Sequence, residues 1–160
     1  MNRPELYNKT VDILYNAYFN DTLECGNCYA CAVGNLVAAA NGYKMIKTEH
    51  SKWGIQWEGH EYPFTNGWGG IALWTNKKHY SKEGLRQIES TGYSTREVVL
   101  IEQAFEHIEN YSFTTSIDEY MFNGLCNVLE ALKKIHDIPD NSPEVTRFRQ
   151  HYTTKTLTNA

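Results

Sequence analysis

Cys25-Gly26-Asn27-Cys28-Tyr29-Ala30-Cys31-Ala32-Val33-Gly34-Asn35 is the stretch on which the reading of this chain turns. Three cysteines spaced three apart stand at the head of an apolar run. That run continues through Leu36-Val37-Ala38-Ala39-Ala40 and meets Asn41-Gly42, a pair that ends helices because glycine accepts the left-handed conformation after the last turn. The pattern predicts a helix over about 28–40. One face would carry Cys28, Cys31, Ala32, Asn35, Leu36 and Ala39, side chains small enough for a second helix to approach closely.

Three readings of the cysteines compete. In the first they are thiol chemistry. Cys25-Gly26-Asn27-Cys28-Tyr29 resembles the CGSCW stretch of the papain family, in which the second cysteine is the nucleophile at a helix N-terminus, where thiolate is favoured. Asn66-Gly67-Trp68-Gly69 is similar to that family's asparagine motif. The remaining parts do not follow: Thr22 stands where an oxyanion glutamine would be, His60 lies only six residues before Asn66, and His151 comes after it. In the second reading they are metal ligands. Cys25, Cys28 and Cys31 offer three sulfurs for tetrahedral zinc, with Cys126, His50, His60 or His79 as the fourth donor. An iron–sulfur run of the bacterial ferredoxin type would want a cysteine where Asn35 stands. In the third reading they are core. Free cysteine is among the most buried residue types, and Cys28 and Cys31 share a face with Ala32 and Leu36, as Cys126 shares one with Leu125 and Leu129. Packing accounts for the cysteines most economically.

Around this stretch the chain reads as a single mainly α domain spanning residues 1–160, of five to six helices. An amphipathic helix over 5–19 carries Tyr7, Val11, Leu14 and Tyr18 at helical spacing. Ser81 caps a helix over 81–91 that Gly92 stops. Ser94-Thr95-Arg96-Glu97 is a capping box opening a helix over 95–109, with Val98, Ile101, Phe105 and Ile108 inside. The longest helix, 117–136, turns Ile117, Met121, Leu125, Leu129 and Leu132 inward. A short last helix covers 143–151, and the tail 153–160 is expected to fray. Between the second and third helices, residues 43–80 lose helical periodicity and form an aromatic, glycine-rich insert of loop or short β-strands, with Gly70–Trp74 the best strand candidate.

Other features are read conservatively. Leu85 to Val98 has the outline of a helix-turn-helix, but its second helix carries two glutamates and would repel phosphate, so a plain helical hairpin is preferred. Glu102 and Glu106 are placed on a solvated face, and His107 and His136 at helix surfaces. The net charge is −4 and the sequence pI about 5.8, so nothing favours nucleic acid or an anionic membrane as partner. No apolar run approaches the roughly 18 residues of a spanning helix, and the N-terminal residues lack the apolar core of a signal peptide. The expected location is the cytoplasm, with reduced thiols.

Three motifs carry a resemblance to a family. Cys28-x-x-Cys31-Ala32-Val33-Gly34-Asn35, then Gly92-Tyr93-Ser94 with Glu97, Ile101-Glu102 and Phe105, then Phe122-Asn123-Gly124-Leu125 with Val128 and Glu130, follow one another in order over about residues 5–138. In this the chain resembles a family of small uncharacterised proteins from the Bacteroidetes lineage and its phages. Some of these carry the label of flavin subunit of the sodium-translocating quinone reductase. The resemblance implies a Bacteroidetes cell or a phage infecting one, and no activity. Cys25 and Cys126 have no counterpart in the pattern, and no flavin-binding barrel or nucleotide fold is legible.

The sequence thus leads to a non-enzymatic interaction or structural module, on the resemblance a phage virion or accessory component, located in the virion if phage-encoded. A protein partner, a homo-oligomer or a large assembly is implied. The tryptophans of the insert, Trp53, Trp57, Trp68 and Trp74, are the expected contact surface. No cofactor is expected on this reading. The alternative is a small zinc-binding protein using Cys25, Cys28, Cys31 and Cys126, and the third option is a thiol enzyme with Cys28 as nucleophile.

Overall fold

The computed structural model describes residues 1–48, 54–60, 81–106 and 115–158. Over these, the chain forms six helices and a two-stranded sheet: α1 (Arg3–Phe19), α2 (Ala32–Asn41), β1 (Met45–Lys47), β2 (Ile55–Trp57), α3 (Lys82–Ser90), α4 (Thr95–Glu106), α5 (Ile117–His136) and α6 (Ser142–Thr158). The mainly α expectation holds. Trp53, Trp68, Trp74, the strand candidate Gly70–Trp74, His50, His79, His107 and Ile108 lie outside the described residues.

The local signals explain most helix starts. Asn2 and Glu5 close a capping box on α1, with Pro4 in its first turn, where a missing N–H costs nothing. Ser81 accepts from Gly84 N at the start of α3. Ser94 and Glu97 exchange hydrogen bonds at the start of α4, and Ser116 accepts from Glu119 N at the start of α5. Gly42 ends α2 at φ +68°.

α4 and α5 form the backbone of the bundle and are its most extensively packed pair; α1 lies against α2 and α5, and α6 closes the far side against α5 and α1. The core runs through Leu14, Val33, Ile88, Val98, Ile101, Phe105, Leu125, Leu129, Leu132 and Phe148. β1 and β2 pair antiparallel, Met45 opposite Trp57 and Lys47 opposite Ile55.

Two boundaries and one burial correct the sequence reading. α2 begins at Ala32 and not at Cys28, because residues 24–31 are held in a looped conformation by hydrogen bonds of Asn27 and of side chains on other elements, described below. α6 runs to Thr158, where a frayed tail was expected. Contacts with other elements accompany the extension: His151 meets the Tyr18 ring at 4.8 Å, Tyr152 stacks on Phe122 at 4.4 Å, and the Lys155 ammonium pairs with Asp21 beyond α1 and lies 3.7 Å from Asp118 in the first turn of α5. Ile117, expected inside, is 74% exposed, since it is the first residue of α5 and precedes the packed stripe.

Candidate functional site

The cysteine stretch folds into a compact loop that leans on the start of α2. Asn27 organises it. Its side-chain amide donates to Glu24 Oε2 (3.1 Å) and to the Ile55 carbonyl (2.6 Å), and its Oδ1 accepts from Tyr29 N (3.0 Å). The Asn27 carbonyl accepts from both Ala30 N and Cys31 N. From α2, the amide nitrogen of Asn35 reaches the carbonyls of Thr22, Ala30 and Cys31 at 3.0–3.1 Å. Trp57 on β2 donates its indole N–H to the Tyr29 carbonyl (2.9 Å) and is fully buried. The backbone polar groups of a buried loop need partners, and two asparagines and a tryptophan supply them.

Gly34 permits this closeness. A Cβ at that position would sit far inside van der Waals contact with the Cys28 carbonyl and the Tyr29 backbone. The Cys-Ala-Val-Gly-Asn run is therefore explained by architecture. Cysteine caps α2, glycine admits the loop backbone and asparagine ties it down.

Each thiol has a place in this arrangement. Cys31 is the N-cap of α2; its Sγ accepts from Gly34 N (3.3 Å) and lies 3.8 Å from the Cys28 carbonyl, within the reach of a weak S–H donor. Cys28 is buried in the core, Cys25 is half-buried at the start of the loop, and Cys126 is half-buried on α5, within electrostatic reach of Tyr18 and Arg149. Burial, with Glu102 second, pushes the Cys28 thiol up to about 12, although its own N–H and that of Tyr29 pull the other way. Burial, with Glu106 and Glu24, does the same to Cys25, also to about 12. Cys31 is pushed well above its ordinary value by burial and the same two buried glutamates, and Cys126 is raised by burial. The helix N-terminus that would favour thiolate is overridden by desolvation and neighbouring negative charge. Burial thus favours the neutral form of all four thiols, and Cys28 and Cys31 pack in the core.

Among the described residues, no three His, Cys, Asp or Glu side chains converge into a group able to hold a metal ion. His60, one candidate for the fourth ligand, packs its ring on Tyr43 (4.6 Å) and Trp57 (5.4 Å). Trp57, expected on the contact surface, is in the core instead: it packs on Tyr29 and Tyr43, and β2 turns it inward.

The glutamates are the main surprise. Glu102 and Glu106, read as a solvated pair, are 1% and 8% exposed. Both Glu106 carboxylate oxygens accept from Gly26 N, at 3.1 and 2.9 Å, which binds the end of α4 to the cysteine loop. Burial raises the Glu106 carboxyl to about 7. The signal was present in the spacing: Val98, Glu102 and Glu106 follow one another at intervals of four, on the same stripe as Ile101 and Phe105. His136 is half-buried at the end of α5. Its Nε2 shares a hydrogen bond with the Tyr93 hydroxyl (2.8 Å), which continues to Thr10 Oγ1 (2.8 Å), and its ring meets that of Tyr7 at 5.5 Å. Burial, with Arg3 second, lowers its pKa.

No family model, curated protein or solved structure matches this chain. No helix among the described residues is long and apolar enough to cross a membrane.

Proposed function

We propose that this protein is a non-enzymatic interaction or structural module. The observation that carries the reading is the internal use of the cysteine stretch. Cys31 caps a helix, Cys28 fills the core, and Asn27, Gly34 and Asn35 close the loop on itself, leaving neutral thiols where an enzyme or a zinc site would hold thiolate. The motif's resemblance to the Bacteroidetes and phage family fits the same role, a phage virion or accessory component being the setting it implies. The partner is then another protein or further copies of this chain.

The test is elemental analysis of untagged protein purified without chelator, joined to thiol counting in native buffer. The expected result is no stoichiometric metal and thiols that react only on denaturation, with Cys25 and Cys126 ahead of Cys28 and Cys31. Near-stoichiometric zinc that disappears in Cys28→Ser would overturn the proposal in favour of a metal protein. One thiol reacting far faster than the rest at neutral pH would overturn it in favour of a thiol enzyme.

A further inference from the structure

The outer surface of the α4–α5 pair carries a groove of about 340 Å³. Leu100 and Ala104 line it from α4. From α5 come Asn127, Glu130, Ala131, Lys134 and Ile135, which share one face at intervals of three and four. Leu100 is 44% exposed, on the face of α4 away from the buried stripe of Val98, Ile101 and Phe105. The two alanines keep the floor low enough for a helix to lie in it, the geometry of helix-in-groove recognition.

The charges at the rim identify the occupant. Glu130 and Lys134 stand four apart on α5, an arrangement that ordinarily closes into an ion pair along the helix. Among the described residues neither has an ion-pair partner. Opposite charges one turn apart on a single helix face are self-complementary. When two such helices cross antiparallel about a two-fold axis, each glutamate meets the other helix's lysine. We infer that the α4–α5 groove is an isologous interface for a second copy of this chain, α5 packing antiparallel on α5 beside Ala131, with Leu100 of each copy seated in the other's groove. Glu130 then faces Lys134 of the second copy twice over, and the two helical hairpins make a four-helix layer. This rests on the proposed role as an interaction module and names its partner.

The dimer is tested by sedimentation equilibrium of the full chain across micromolar concentrations. Wild type is expected to self-associate to a dimer. Ala131→Glu places a carboxylate in the floor and is expected to weaken association at least about tenfold, with the circular dichroism of the folded chain retained. Glu130→Lys alone and Lys134→Glu alone each set like charges face to face, and each is expected to weaken association severalfold. The double variant Glu130→Lys/Lys134→Glu restores every pair with its sign reversed and is expected to restore the dimer. Mixing the two single variants should favour the mixed dimer, in which both contacts are again opposite in sign. A wild type that stays monomeric overturns the inference and leaves the groove to a different protein. A dimer indifferent to Ala131→Glu and to both single reversals also overturns it, and places self-association on another face. Mass alone decides the inference, whereas metal content and thiol kinetics decide the role on which it rests, so either can fail without the other.

Discussion

α2 and α6 are two helices of one bundle built on opposite terms. Every residue of α2 from Ala32 to Ala38 is buried, and its first turn is pressed against the backbone of the preceding loop. α6 is seventeen residues long and buries Phe148 alone. The rest of α6 is held along its flank by half-buried packing of Val145, His151 and Tyr152 and by contacts at the surface. Arg147 lies over the Tyr15 ring at 3.7 Å and pairs with Asp12, Tyr152 stacks on Phe122 at 4.4 Å, and Lys155 pairs with Asp21. α2 has no slack in shape, while α6 is a strap with one fully buried anchor. Substitutions in α2 should therefore be judged by volume, and those in α6 by distance from Phe148.

The largest expected effect is Gly34→Ala. The added methyl collides with backbone, which cannot swing aside as a side chain can, so the cost is expected to exceed the roughly 1–3 kcal/mol usual for overpacking and to approach the whole stability of a small domain. A denaturation curve with a midpoint close to wild type would show that the loop can lift off α2, and the contrast with α6 would fall. Next comes Phe148→Ala, expected to cost about 3 kcal/mol. Because the anchor is single, the loss should appear first as undocking of α6. Hydrogen exchange of residues 142–158 should accelerate while α2 stays protected. Uniform acceleration across both helices would mean that α6 unfolds only with the core.

The third prediction concerns a cost on the α2 side that α6 lacks. Glu106, whose carboxyl is raised to about 7, holds Gly26 from within the protein. An unfolded glutamate titrates near 4.3. Between that value and about 7 the folded chain binds the extra proton, so stability should be greatest below pH 4.3 on this account and decline as pH rises to about 7, by about 3–4 kcal/mol in all, then level off. Glu106→Gln keeps an oxygen to accept from Gly26 and removes the titration, so its stability should be flat over that window and higher than wild type at pH 8. Parallel pH profiles for the two proteins would refute the assignment. The smallest effect is expected at Lys155→Ala. An ion pair near the surface contributes under about 1 kcal/mol, so the midpoint should hardly move, while the last turns of α6 exchange faster.

The same contrast marks how far the sequence could be read. Helix existence and order were legible because capping residues and apolar periodicity are local: Ser81, Ser94, Ser116 and Gly42 stand where the helices begin or stop. The start of α2 was not legible. The periodicity through Cys28 suits a helix, and what prevents it is a set of long-range bonds from Ile55, Trp57 and Glu106. The extent of α6 escaped for the same reason, since the partners of Lys155 lie on other elements. As for the cysteines, their place as core was the most economical reading of composition, but the thiol cap at Cys31 needed coordinates. Glu102 and Glu106 were misplaced by the habit of sending charge to the surface, although their spacing from Val98 already put them inside. His136 is half-buried, and its bond to Tyr93, forty-three residues away, has no local signal.

The end of α2 bears on how this protein ages. Asparagine followed by glycine is the dipeptide most prone to spontaneous loss of its amide, because the glycine nitrogen can swing round and attack the side-chain carbonyl. At Asn41-Gly42 both reactants are held. The Gly42 N–H donates to the Ala38 carbonyl, and the Asn41 amide is fixed by the Val37 carbonyl, Ser90 and the Arg86 guanidinium. Cyclisation must first undo the helix end and its bridge to α3. The folded chain should therefore keep Asn41 intact through long storage, and chemical wear at this site becomes a record of how often the junction between α2 and α3 has opened.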